Sequence, residues 1–142
     1  MNKQIKLKTG IDDIRFGCTP EVVRTLLGNP DEVEELESAV DGVVESIVWY
    51  YPEAGLNFFF EASDGEPTLN TIESDNLETT LFDTKIFNLT KDKLMSLMKE
   101  NGFTDIDEDD ETWGEHRITF EDAQVDFYFN DQELSLVSWS CY

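Results

Sequence analysis

Few side chains in this sequence could carry chemistry. His116 is the one histidine, and a nucleophile–base pair would most simply be built on it. It stands where a β-strand begins, a place where a lone histidine serves structure or surface more often than catalysis. Cys18 and Cys141 are too far apart in sequence for a metal-ligand spacing. Cys18 lies just before a helix start, where the helix dipole lowers a thiol pKa. Its surroundings instead read as a small apolar residue turned inward. Asp105, Asp107 and Asp109 alternate like the opening of a calcium loop. That loop needs Gly at its sixth position and Glu at its twelfth, and here those positions hold Asp110 and His116. An EF-hand is therefore excluded, with weak divalent-cation binding by the carboxylates the residual option. Phosphate-binding glycine loops and zinc spacings are absent. The sequence assigns no catalytic residue, no metal site and no cofactor, and the chain is read as non-enzymatic.

Charge bounds the partner. The 142 residues hold 32 Asp and Glu against 10 Lys and Arg, a net −22. A phosphate backbone requires a basic footprint, and an anionic membrane repels acids, so both are excluded as partners. The hydrophobic fraction is 39% and the aromatic fraction 12%, enough for a packed core rather than an acidic disordered chain. Two acidic stretches stand out: Asp31, Glu32, Glu34, Glu35, Glu37, Asp41 and Glu45; and Asp105, Asp107, Glu108, Asp109, Asp110, Glu111 and Glu115. Both are expected to be solvated loops between a helix and the first strand of a hairpin, or a surface for a cationic partner. The opening Met-Asn-Lys-Gln-Ile-Lys-Leu-Lys is followed by no apolar run, so no signal peptide is read and a cytoplasmic location with reduced thiols is expected.

The elements that would position these residues come from an internal repeat. Phe16 to Leu27 resembles Phe87 to Met98, 71 positions on. Each segment reads as a Thr N-cap, Thr19 or Thr90, opening a short helix. Pro20 suits the first turn, and Gly28 and Asn101-Gly102 are stop signals. Tyr51 to Glu61 matches Phe120 to Asn130 at an offset of 69, each a hairpin, and Leu69-Asn70-Thr71-Ile72 echoes Leu134-Ser135-Leu136-Val137 at 65. The fold class is therefore α+β. One domain over 1–142 is built from two tandem repeats, about 10–77 and 81–142, joined near Glu78 to Thr84. Each repeat is a helix and three antiparallel strands, and together they form one antiparallel sheet.

Alternation sets the faces. Trp49, Tyr51, Leu56, Phe58, Phe60, Ile118, Phe120, Val125, Phe127 and Phe129 point to the core. Tyr50, Asn57, Phe59, Glu61, Thr119, Asp126, Tyr128 and Asn130 point the other way. That second face is either open to a partner, which its aromatics suit, or covered by a helix or the N-terminal segment.

Phe16-Gly17-Cys18-Thr19-Pro20-Glu21-Val22-Val23-Arg24-Thr25-Leu26-Leu27-Gly28-Asn29-Pro30 is similar to the Gly-Met-Thr-x-x-x-Val-x-x-Leu-Leu-Gly-x-Pro segment of the SmpA/OmlA and β-lactamase-inhibitor-like group. Cys18 replaces the motif's Met, and the second copy has Asn88-Leu89-Thr90 and no closing Gly-x-Pro. The resemblance implies helices laid on one face of an antiparallel sheet, two such units in tandem, and a binding role rather than catalysis. The expected function is an acidic protein-binding module, in its narrower form an immunity or inhibitor protein for a cationic toxin. Tyr50, Phe59, Tyr128, Glu61 and Asp126 would contact a basic protein partner. The alternative is a small enzyme or ligand-binding protein using a cleft between the repeats.

Overall fold

The structure, a computed structural model, describes residues 3–37, 44–62, 65–110 and 114–141. Asp41, Glu111 and the Ser63-Asp64 part of the expected turn lie outside the described residues. In chain order the elements are β1 (Ile5–Lys6), β2 (Gly10–Ile11), β3 (Ile14–Arg15), α1 (Pro20–Leu27), β4 (Glu32–Glu37), β5 (Val44–Tyr51), β6 (Leu56–Glu61) and β7 (Thr68–Ser74). There follow β8 (Thr80–Leu81), β9 (Thr84–Lys85), α2 (Lys91–Glu100), β10 (Ile106–Asp110), β11 (His116–Phe120), β12 (Val125–Asn130) and β13 (Glu133–Ser140).

Eight strands form one antiparallel sheet in the order β10-β11-β12-β13-β7-β6-β5-β4. Four consecutive strands run inward from each edge, and β7 and β13 pair at the centre, Glu73 opposite Ser138 and Ile72 opposite Trp139. The fold is α+β, dominated by antiparallel sheet. Strand alternation follows burial: Leu56, Phe58 and Phe60 are 0% exposed, as are Ile118, Phe120 and Phe127. Aromatic rings meet edge to face on this side, Trp49 with Phe60 at 5.3 Å and Phe120 with Phe127 at 5.9 Å.

Helices and short hairpins cover the same side. Val23 of α1, Leu94 and Met98 of α2, Ile11 and Ile14 of the first hairpin and Leu81 of the second all join that core. Helices of eight and ten residues are marginal alone and depend on this packing. The indole Nε1 of Trp139 donates to the Gly10 carbonyl at 2.8 Å, and the Tyr51 hydroxyl donates to the Gly28 carbonyl at 2.9 Å. These two bonds tie the sheet to the layer above it. None of the outward residues Tyr50, Asn57, Phe59, Glu73, Thr119, Asp126, Tyr128 and Leu136 belongs to the core cluster.

Two expectations change. Both acidic stretches contain edge strands rather than loops: Glu32–Glu37 is β4 and Ile106–Asp110 is β10, the two outermost strands of the sheet. A charged edge is a recognised defence against edge-to-edge pairing, and it makes a strand look like a loop on propensity. The two helix starts also differ. The Thr90 hydroxyl accepts from the Lys93 amide at 3.3 Å, whereas the Thr19 side chain makes no capping bond. Pro20, with no N–H, already removes one orphan donor there. Within the segment Glu78 to Thr84, Thr79 and Leu81 are buried while Glu78 and Asp83 are exposed. Thr79 is 0% exposed and its hydroxyl lies 2.6 Å from that of Ser74. The β8–β9 hairpin follows directly.

Candidate functional site: the outer face of the sheet

Register lines up one residue from every strand across the outer face. From one edge to the other these are Glu32, Tyr50, Asn57, Glu73, Ser138, Asp126, Thr119 and Asp107. On one flank of that row lie Glu34, Val48, Phe59 and Thr71; on the other lie Asp109, Arg117, Tyr128 and Leu136. The five residues expected to contact a partner thus share this face in two groups. Tyr50, Phe59 and Glu61 stand on β5 and β6. Asp126 and Tyr128 stand on β12, three strand spacings from β6, about 14 Å at the usual interstrand distance. Because β7 and β13 run antiparallel, Phe59 and Tyr128 flank opposite sides of the row. Glu61 is exposed at the end of β6, opposite Ser46 and Thr68.

Charge divides the molecule into layers. Of the Lys and Arg residues, only Arg117 lies in the eight-stranded sheet; the others sit in the hairpins, their flanking turns and the helices. Arg117 is spent internally, with one guanidinium nitrogen 3.3 Å from Asp107 and 3.8 Å from Asp109 and another bonded to the Thr119 hydroxyl. Thr119 in turn donates to Asp126. The β10–β13 half therefore holds one cation of its own among its outward carboxylates. The β4–β7 half does not: among the described residues no Lys or Arg pairs with Glu32, Glu34, Glu61 or Glu73. The Tyr50 hydroxyl donates to Glu34 at 3.3 Å. Partial burial raises the phenol pKa, helped by Glu34.

Sequence reasoning missed two residues. Val48 points outward yet is 2% exposed; with its partner Phe59 it forms an apolar seam on the outer face. Glu73 sits at the middle of the sheet, accepting from the Asn57 amide at 3.3 Å. Burial pushes its carboxyl above the usual carboxylate range; the Asn57 bond opposes this and the Asp75 charge adds to it. Glu73 walls two shallow grooves. One, about 180 Å³, is lined by Pro52, Gly55, Asn57, Asp75 and Leu136. The other, about 250 Å³, is lined by Leu36, Phe59, Glu61, Asn70 and Thr71. A register shift between Phe59 and Phe60 leaves Asn70 as the extra residue beside the second groove.

The residues singled out for chemistry lie elsewhere. His116 Nδ1 is 2.8 Å from Asp110, and Nε2 is 3.5 Å from Glu108, at the β10 edge and outside both grooves. Asp110 is 89% exposed, so the pair stands at the surface, although His116 Nε2 is itself buried without a hydrogen-bond partner among the described residues. Burial raises the Cys18 pKa, opposed by backbone hydrogen bonds at Cys18 and Arg15, and Cys18 packs against the core. Asp107 and Asp109 face outward toward Arg117. Among the described residues no group of three or more His, Cys, Asp or Glu is arranged to hold a metal, and no helix is long and apolar enough to cross a membrane.

No family model matches the chain, and no curated protein does. Among solved structures it is similar to the crystal structure of an extracellular protein containing a SCP domain from Bacillus anthracis str. Ames. The TM-score is 0.51 at 12% identity, with 96% of this chain and 49% of that one covered. This chain thus spans about half the length of that protein. At such identity the likeness speaks to the fold alone.

Proposed function

We propose that this chain is a non-enzymatic protein-binding module whose outer sheet face takes a basic protein, as an immunity or inhibitor protein takes a cationic toxin. The observation that carries the reading is the layering of charge. Every Lys and Arg but Arg117 lies off the sheet, and the outer face presents Glu32, Glu34, Glu61 and Glu73 around Tyr50 and Phe59. Such a field steers a cationic partner and speeds its association, while half-buried aromatics supply the anchor contacts. Size agrees. Eight strands at about 4.8 Å spacing and six residues at about 3.4 Å give roughly 34 by 20 Å, close to the ~800 Å² each partner buries in a standard interface.

In this reading the two four-stranded halves are the tandem repeats, related to the β-lactamase-inhibitor-like group. Support comes from matched bulges, between Phe59 and Phe60 and between Tyr128 and Phe129, with Asn70 and Ser135 beside them. A reducing compartment suits the free Cys18 and Cys141. The test is affinity capture from the source cells with the parent chain and with Tyr50, Phe59 and Tyr128 changed to Ala. A basic protein eluted by salt and lost from the triple variant is expected. An acidic partner, or unchanged capture by the variant, sinks the reading.

A second reading, a small enzyme or ligand carrier using the groove where the halves meet, rests on the raised pKa of Glu73, a property shared with general acids. Against it, the groove of about 180 Å³ is below the ~300 Å³ at which ligand pockets begin.

A further inference from the structure

We infer that Glu73 is the anchor of the outer face and that its carboxylate receives one Arg or Lys side chain of the basic partner, an inference that rests on the function proposed above. The two halves of the sheet make the case by comparison. On the β10–β13 half, edge acid Asp109 faces Arg117, which faces Tyr128. On the β4–β7 half, edge acid Glu34 faces Val48, which faces Phe59. The same strand positions hold an arginine in one half and a valine in the other. The β4–β7 half therefore keeps its carboxylates without an internal cation.

Glu73 is the one of these acids that is central rather than at an edge. It borders both grooves, and each groove has a second carboxylate beyond it, Asp75 in one and Glu61 in the other. Phe59 supplies an aromatic wall to the larger groove, a surface on which a guanidinium or the stem of a lysine packs. A carboxylate offers about four acceptor positions, and the Asn57 amide takes one. Glu73 can therefore accept further N–H donors from an arriving cation. A partly desolvated carboxylate with no cation of its own gains most from an arriving one. Lys and Arg of this chain cannot serve, since all but Arg117 lie off the sheet and Arg117 is bound to Asp107 and Thr119.

The test uses the intact protein labelled with nitrogen-15, titrated with N-acetyl-arginine methylamide and, in parallel, with the citrulline derivative, its uncharged isostere. Saturable amide shifts at Asn57, Phe59, Glu73 and Asp75 are expected with the arginine probe only. Glu73→Gln should weaken that binding about tenfold or more, the loss expected for a charge-assisted pair. Glu61→Gln, at the exposed end of the larger groove, should change it by no more than about twofold. Equal shifts with citrulline, shifts spread along β4 and β10, or undiminished binding by Glu73→Gln would overturn the assignment. A melting temperature for Glu73→Gln at or above that of the parent shows that the variant is folded. A partner lost by the triple alanine variant but held equally by Glu73→Gln removes Glu73 and leaves the proposed function. A partner retained by the triple variant removes the function itself.

Discussion

Phe58 and Phe59 are neighbours on β6 with opposite duties, and exchanging each for Ala separates core from working surface. Phe58 is 0% exposed, meets Tyr51 edge to face at 5.6 Å and pairs with Trp49 and Ile72. Deleting such a ring leaves a cavity in a packed interior and costs about 4 kcal/mol. At roughly 2 cal/mol/K of unfolding entropy per residue, a 142-residue chain loses about 0.3 kcal/mol per degree, so Tm should fall by about 13 °C. Phe59 is half-buried on the outer face and stands outside the core cluster. Removing it gives up roughly half the transfer energy of a phenyl ring, about 1 kcal/mol, or ~3 °C. Binding should show the reverse order. Phe59→Ala should weaken the captured partner by about 30-fold or more, the mark of an anchor residue, while Phe58→Ala should leave affinity within a few-fold below its own melting range. Differential scanning calorimetry and titration of the partner read both quantities. Equal loss of stability in the two variants would mean that the outer face is buried core, and the reasoning from face to function would fail.

Three further outcomes follow from the same structure. Because burial raises the folded-state pKa of Glu73, its contribution vanishes below the unfolded value. A penalty develops as pH rises through the folded value. Glu73→Gln should therefore match the parent in Tm near pH 3 and exceed it at pH 7, and a constant difference across that range would contradict the assignment. Changing Glu32 and Glu34 to Thr removes charge from the β4 edge, and light scattering should show self-association through edge pairing; an unchanged mass would mean the acids do not guard that edge. Thr90→Ala should cost about 1 kcal/mol in chemical unfolding, and Thr19→Ala no more than a few tenths, since only Thr90 caps its helix; equal costs would refute the capping contrast.

The inward faces of β5, β6, β11 and β12 were legible because a half-buried strand writes its pleat as alternation, as in Leu56-Asn57-Phe58-Phe59-Phe60. Helix ends were legible from Pro20, Gly28 and Gly102. Edge strands were not: Glu32–Glu37 and Ile106–Asp110 are rich in residues depleted from strands, and what makes them strands is a partner on one side, known only from register. The short hairpins β2–β3 and β8–β9 span two residues per strand, too few to show any period. Val48 and Glu73 escaped for a related reason. In sequence, Glu73 is a polar residue in an alternating run. It becomes central only when β7 pairs with β13, a contact between residues more than sixty positions apart.

Hydroxyl-radical footprinting of the chain alone and with its captured partner tests the central claim most directly, because it reads the solvent access of individual side chains on both layers at once. The account predicts that oxidation of Tyr50, Phe59 and Tyr128 falls on binding while that of Met95 on α2 and of Leu26 on α1 is unchanged. Protection of Leu26 and Met95, with the three outer-face aromatics left as reactive as in the free protein, would place the partner on the helical layer and contradict it.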